Sequence, residues 1–359
     1  MTTCLSSHFT CGIMEAVIIL TKRTEWTMMR EDVIQKIKTS RREGTVSDLS
    51  GVDLSGVDLS GVDLRGAILS GANLSGANLS GANLIRANLS GANLKGARLA
   101  KVRWHSVILD DADLTGAELS GEKMETASLV GANLERANFV RANLRWVQLS
   151  GARLSEAVLR QVDLFEANLK AARLQGADLQ AARLSGANLQ DAELQAANLQ
   201  KADLRQCTLR GAHLAEASLN GCLLAGADLS GLDMRGFDLR GIDLNEANLS
   251  GANLSGADMR RTVLAKADLS QADLRGVDFN KADLSQVDLR GANLEGAVAT
   301  DEQLTFAKKL DEAILPDGSV YVARKQGGSA EPSSTEKRRA TASGLAAALS
   351  RMKRQDPDE

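Results

Sequence analysis

The chain has 359 residues with 43 Lys and Arg against 46 Asp and Glu, 3% aromatic residues, four cysteines and three prolines. Four scattered cysteines exclude a disulfide framework, and the near-balanced charge excludes an overwhelmingly acidic or basic surface. The length would ordinarily suggest two domains, but a repeat that organises most of the chain removes that expectation.

Residues 1–28 read as an irregular segment, and Met28 or Met29 could serve as the true start. Gly12 to Leu20 is apolar but too short to span a bilayer, and Glu15 interrupts it. With no secretory signal in view, a cytoplasmic protein is expected. Within 29–46 a helix is expected from Arg30 to Arg42. Glu31 and Asp32 suit its first turn, Lys38, Arg41 and Arg42 its last, and Gly44 its end. Val33, Ile34 and Ile37 form one apolar stripe, so this helix is expected to cap the N-terminal end of the repeats.

Over 47–298 an apolar residue recurs at every fifth position, from Leu49 to Leu294, in fifty consecutive pentapeptides. Forty-four of these residues are Leu; the others are Trp104, Met124, Phe139, Met234, Met259 and Phe279. Two residues earlier stands a small or apolar residue, Ala in 33 of the 50, and Ser-Gly often comes after the Leu. Period five suits neither ordinary element. On a helix each fifth residue turns about 140° further round, and on a straight strand an odd period alternates faces. A short extended step and then a corner keeps both Ala and Leu inward. The residue between them then faces out, and Gly permits the corner. No proline interrupts the repeats, as a continuous ladder requires.

This unit resembles that of the pentapeptide-repeat family, written A-(D/N)-L-x-x, over residues 47–298. The resemblance implies an all-β solenoid, a right-handed quadrilateral β-helix with four repeats per coil and short N- and C-terminal capping helices. At about 4.8 Å per coil, the rod would be roughly 60 Å long, with residues twenty apart stacked on one face. Cys207 and Cys222 occupy Ala positions on different faces and are expected to be buried and unpaired.

Over 299–321 a second capping helix and a turn are expected. Thr300 and Gln303 have capping-box spacing, and Leu304, Ala307 and Leu310 would share one side. The run Leu315-Pro316-Asp317-Gly318 turns the chain and is frequent in cyanobacterial members of the family. Residues 322–359 read as a disordered basic tail around Lys337-Arg338-Arg339.

Nothing in the sequence assembles a catalytic site. His8, His105 and His213 are dispersed, no Cys-His pairing has metal-ligand spacing, and the glycines recur at corners instead of preceding a helix. No enzyme activity, small-molecule substrate or cofactor is expected, and the recurring Asp is assigned to corner hydrogen bonding and solubility. The resemblance implies binding. One reading is a scaffold or adaptor that presents flat faces to an unidentified protein partner. The other is DNA mimicry, because the family includes quinolone-resistance proteins and related mycobacterial proteins that occupy DNA gyrase. A mimic needs a strongly acidic face, whereas residues 47–298 hold 31 acidic and 26 basic residues. Nucleic acid itself is not an expected partner, and the resemblance allows an end-to-end homodimer.

Departures from the repeat mark candidate sites. From Arg98 to Thr126, Trp104 fills a Leu slot and Glu122 an Ala slot, so the coil is expected to widen there. Either the repeat has eroded in a tolerant region, or this side is an interface. The candidate face comprises Arg103, His105, Lys123, Glu125, Arg141, Arg145, Trp146 and Phe165, since exposed aromatics beside arginine suit an interface centre. A second departure, Leu232, Phe237 and Ile242 in successive Ala slots, reads as a fatter core and not a site.

Overall fold

A computed structural model describes residues 29–322. The expectations placed on residues 1–28 and on the tail beyond Val322 lie outside the described residues. Each repeat forms one short extended step, and steps twenty residues apart pair in parallel, as Asp53 does with Asn73 and Asn73 with Asn93. Four repeats therefore complete one coil. We label the four sides I to IV by the central residues of their first steps, Asp48, Asp53, Asp58 and Asp63.

Three backbone bonds per repeat build the ladder. The Leu54 amide donates to Asn73 O at 2.7 Å, the Gly56 amide to Ser75 O at 2.9 Å, and the Asn73 amide back to Val52 O at 3.0 Å. All fifty Leu-column residues are buried, including Trp104, Phe139 and Phe279. The two residues after each of them form the corner, and the second has positive φ at all fifty positions. Glycine fills 26 of these corners and other residues fill 24. Each of the latter carries a left-handed strain of about 1–2 kcal/mol. The outward Asp or Asn secures the corner: Asp53 Oδ1 accepts from the Ser55 amide at 3.0 Å, and Asn73 Nδ2 donates to Asp53 Oδ1 at 3.0 Å, joining neighbouring coils.

At the N-terminal end, helix α1 spans Arg30–Glu43 and stops at Gly44, whose φ is 69°. Val33 and Ile37 are buried against the solenoid core. No coil precedes the first, so its edge carbonyls need other donors. The Arg30 guanidinium donates to Asp58 O at 2.6 Å and Ser60 O at 3.0 Å, and Arg41 donates to Asp63 O at 3.0 Å.

At the other end, helix α2 spans only Asp301–Thr305. The Thr300–Gln303 capping box is present, and Gln303 Nε2 also donates to Phe279 O and Ala282 O. Leu310 is not on this helix, contrary to the sequence reading, because the chain rejoins the ladder. Lys309 pairs with Asp288 and Ile314 with Asn293, so parallel pairing continues past residue 298. A turn with Gly318 at φ 80° then lays Val320 antiparallel to Ile314. Among the described residues no helix is long and apolar enough to cross a membrane.

The ladder opens twice. No bridge joins Arg98 to Glu118 or Arg103 to Lys123, beside the buried Trp104. No bridge joins His213 to Asp233 or Ser218 to Asp238. This second gap adjoins the Ala slots of Leu232 and Phe237, which with Ile242 are expected from the sequence to fatten the core. Leu232 and Ile242 are buried and Phe237 only partly so. The bulk of Leu232 and Phe237 in their Ala slots holds the coils apart, whereas the 223–243 bridge beside Ile242 persists. The amides of Leu214, Glu216, Leu219 and Gly221 consequently have no acceptor among the described residues.

Leu174 and Leu194 are fully buried and stack one coil apart. Leu174→Ala is expected to lower the unfolding free energy by about 2–5 kcal/mol, and Ser185→Ala, at a corner, to change it by less than about 0.5 kcal/mol. Urea denaturation of the two variants checks this; equal effects would mean that the inward column is misassigned.

Asp288 makes stability depend on pH. Partial burial pushes its carboxyl up, but hydrogen bonds from Arg290 and Lys309 outweigh this and hold the pKa down at about 2. A carboxylate whose pKa is depressed by folding stabilises the fold above its unfolded pKa of about 3.9 and loses that contribution as pH falls through the folded value. Asp288→Asn is therefore expected to be less stable than the parent by about 1.5–3 kcal/mol at neutral pH. The difference should shrink steadily between pH 4 and pH 2, as read from thermal melts across that range.

Candidate protein-interaction face

The candidate residues lie on side IV and its two corners. Phe165 and Arg145 directly follow core leucines that stack one coil apart, and Trp146 is the left-handed corner residue after Arg145, with φ 58°. A bulky ring there is strained, although 23 other non-glycine corners share that conformation. Trp146 is 42% exposed and Phe165 half-buried.

These three side chains form one cluster. The rings of Trp146 and Phe165 meet edge to face with centroids 6.3 Å apart. The Arg145 guanidinium lies 4.6 Å from the Trp146 centroid and 4.3 Å from that of Phe165. Asp163 anchors the arrangement: it accepts from Arg145 at 3.3 Å and Arg183 at 2.8 Å, and from the Phe165 amide at 3.2 Å. Trp146 Nε1 donates to Glu166 Oε2 at 3.0 Å. The surface is thus a preformed aromatic–guanidinium plate whose internal polar groups are already engaged.

The other residues do not join the plate. Arg141 stands at the preceding corner, where its Nε donates to Gln161 Oε1 at 2.8 Å. Glu125 accepts from Asn143 Nδ2 at 2.6 Å. Arg103, His105 and Lys123 are exposed, and their side chains have no hydrogen-bond partner among the described residues. They flank the first ladder gap, where the structure supplies a partner that spacing alone did not reveal. Glu122 reaches into the gap, accepting from the Lys101 amide at 2.7 Å and from Trp104 Nε1 at 3.1 Å. Trp in the Leu slot and Glu in the Ala slot are therefore one coupled substitution. The signal was present in the sequence, because two residues eighteen apart on adjacent coils depart from the repeat together.

Sequence reasoning missed two further features. Leu223 and Val263 are exposed on side IV. A cleft of about 570 Å³ opens beside the second gap at the corner between sides III and IV. Cys207 and Cys222 are buried and free, and Cys222 Sγ donates to Leu199 O. Burial raises both thiol pKa values, that of Cys222 to about 12. Among the described residues no group of His, Cys, Asp and Glu is placed to hold a metal ion.

Acidic columns are neutralised in place. On side III, Arg240 forks onto Asp238 and Arg260 onto Asp258, each Nε to Oδ1 and Nη2 to Oδ2. Each arginine also reaches the Asp one coil further on, Asp258 at 3.6 Å and Asp278 at 3.7 Å. The same fork joins Arg205 to Asp203, Arg235 to Asp233 and Arg275 to Asp273, and in each pair the arginine hydrogen bond lowers the carboxyl pKa.

No curated protein matched the chain. Among solved structures, it is similar to HetL, a pentapeptide repeat protein involved in heterocyst differentiation regulation from the cyanobacterium Nostoc sp. strain PCC 7120. That similarity has 31% identity, 79% of this chain and 98% of the other covered, and a TM-score of 0.23. QnrB1, a plasmid-mediated fluoroquinolone resistance protein, is 22% identical, with 61% and 89% covered and a TM-score of 0.30. Rfr23, a pentapeptide repeat protein from the cyanobacterium Cyanothece 51142, is 30% identical, with 32% and 87% covered and a TM-score of 0.15. The family model for pentapeptide repeats matches residues 47–84 and, in overlapping copies, 87 through 307. With well over half the chain so matched, this protein belongs to the pentapeptide-repeat family.

Proposed function

We propose that the chain is a non-enzymatic scaffold, acting in the cytoplasm, that docks a protein partner on side IV. The observation that carries this reading is the plate of Arg145, Trp146 and Phe165, which gathers two of the chain's ten aromatic residues on its outer surface. Rigid rings and a guanidinium already held by Asp163 lose little side-chain freedom on binding, which favours association. Burying each ring in a partner's pocket would contribute about 1.5–3 kcal/mol. Arg103, His105 and Lys123, on coils of the same side and without internal partners, supply a polar rim.

The test is the double substitution Trp146→Ser with Phe165→Ser. Neither ring belongs to the Leu column, so the melting temperature should stay within a few degrees of the parent, roughly the shift expected for about 1 kcal/mol. Proteins captured by the parent chain, and by a Lys170→Gln control, should be lost from the variant. Retention of the same partner by the double variant would place the interface elsewhere, and unfolding would place the rings in the core.

DNA mimicry is the competing function. The arginine forks on Asp203, Asp233, Asp238, Asp258 and Asp273 cancel the charge that a mimic would display. A gyrase supercoiling assay is therefore expected to show no inhibition or protection at low micromolar protein; potent inhibition would replace the scaffold reading with mimicry.

A further inference from the structure

The second ladder gap opens onto the corner between sides III and IV, and this corner differs in charge from the other three. Its column carries Lys101, Arg141, Lys201, Arg261 and Lys281 and not one acidic residue from Gly61 to Lys281. The adjoining outward column of side III, from Ser60 to Thr300, adds Arg160, Arg240 and Arg260, again without an acid. The cleft of about 570 Å³ lies where this basic edge meets the gap, between Asn220 and Gly221 on one coil and Arg240, Arg261 and Lys281 on later coils. Its volume falls within the range of about 300–1,000 Å³ typical of ligand clefts.

Three observations specify the ligand's chemistry. Arg240 and Arg260 are held by Asp238 and Asp258, so they line the cleft as fixed, largely neutralised walls. Arg261 and Lys281, by contrast, are exposed and have no ion-pair partner among the described residues. At the gap, the amide of Gly221 has no acceptor among the described residues. Free cations beside an unpaired backbone donor form an anion site. The molecule also shows how such a gap is filled. In the first gap the corner amide of Lys101 is taken by a carboxylate, that of Glu122, 21 residues further on. The residue in the same relation to Gly221 in the second gap is Ile242, which offers no acceptor.

We propose that the cleft at the corner between sides III and IV is a docking site for an acidic peptide segment of a partner protein, one carboxylate taking the Gly221 amide and neighbouring carboxylates pairing with Arg261 and Lys281. A peptide suits the site better than a nucleic acid. Arg261 and Lys281 sit at a single corner, which suits a short segment, and in the first gap the equivalent corner amide is taken by a side-chain carboxylate. The site lies away from the aromatic plate, so it stands or falls independently of the docking reading for that plate.

The experiment uses the full chain and a fluorescein-labelled hexaglutamate peptide, with binding read by anisotropy at low salt. Saturable binding at one peptide per chain is expected. Arg261→Gln with Lys281→Gln should weaken it by at least about tenfold, as loss of charge-assisted contacts requires. A control pair on side I, Lys170→Gln with Arg210→Gln, should leave it unchanged. Leu232→Ala, Phe237→Ala and Ile242→Ala together restore the Ala slots, and the resulting closure of the gap should also weaken binding while circular dichroism stays that of the parent. Equal loss in both charge variants would show non-specific attraction and overturn the proposal. So would unchanged affinity when the gap is closed, or tighter binding of an oligothymidine strand or inorganic phosphate than of the peptide.

Discussion

Up to Phe279, each core residue of the Leu column within the unbroken ladder donates its amide to a carbonyl nineteen residues further on, and that bond fixes the spacing of the coils. It can form only where the next coil lies about 4.8 Å away. The small residue two places before the leucine permits that approach, so the alanine column sets the architecture as much as the leucine column does. Valine is tolerated there: Val107, Val147 and Val162 are buried beside intact bonds from Leu109, Leu149 and Leu164. Leu232 and Phe237 in successive slots are not, and the ladder parts at 213–233 and 218–238, while the 223–243 bridge beside Ile242 holds. Bulk beyond valine in two successive slots is enough to exceed what the packing absorbs.

The inward columns and the corners are legible in the sequence because each depends on residues within one pentapeptide. Leu49 through Leu294 are buried as the period requires, and the Asp and Asn residues accept from corner amides as their position suggests. The interleaved charge of Asp238, Arg240, Asp258, Arg260 and Asp278 is legible too, once coils of four repeats are granted, and it forms a continuous ladder. Features that depend on how one coil meets the next are harder to read. Glu122 finds Trp104 eighteen residues away, and Arg145 settles between two rings instead of extending into water. The short α2 has the same origin: its capping box promises a longer helix, but pairing of Lys309 with Asp288 draws the chain back to the ladder.

Where Arg directly follows the core residue of an Asp-bearing repeat, charge is handled locally. A Leu-Arg or Met-Arg step after Asp places the guanidinium back over the carboxylate of its own repeat, so the pair forms without help from any other coil. Such exposed pairs add little stability individually. Their consequence is for recognition, because arginines engaged in forks are withdrawn from the surface potential. The cations that remain available are those whose repeats lack the fork, notably Arg261 and Lys281 at a corner and Arg103 and Lys123 on side IV.

At each gap the ladder parts on two of the four sides and continues on the other two, and the two gaps treat a freed corner amide differently. Each leaves amides without carbonyl acceptors on two adjacent sides. The first gap supplies its own acceptor, since Glu122 satisfies both the Lys101 amide and the buried indole of Trp104. An unpaired polar group at that depth would be costly, so the carboxylate is best understood as the condition for accommodating the tryptophan. The second gap is apolar inside, with Leu232 and Ile242 buried, and the residue of one edge amide, Gly221, lines a cleft together with Arg261, Lys281 and the paired Asp238 and Arg240. Donors that the unbroken ladder would pair are left there to meet an acceptor from outside, and the chemistry at the cleft mouth favours an anion.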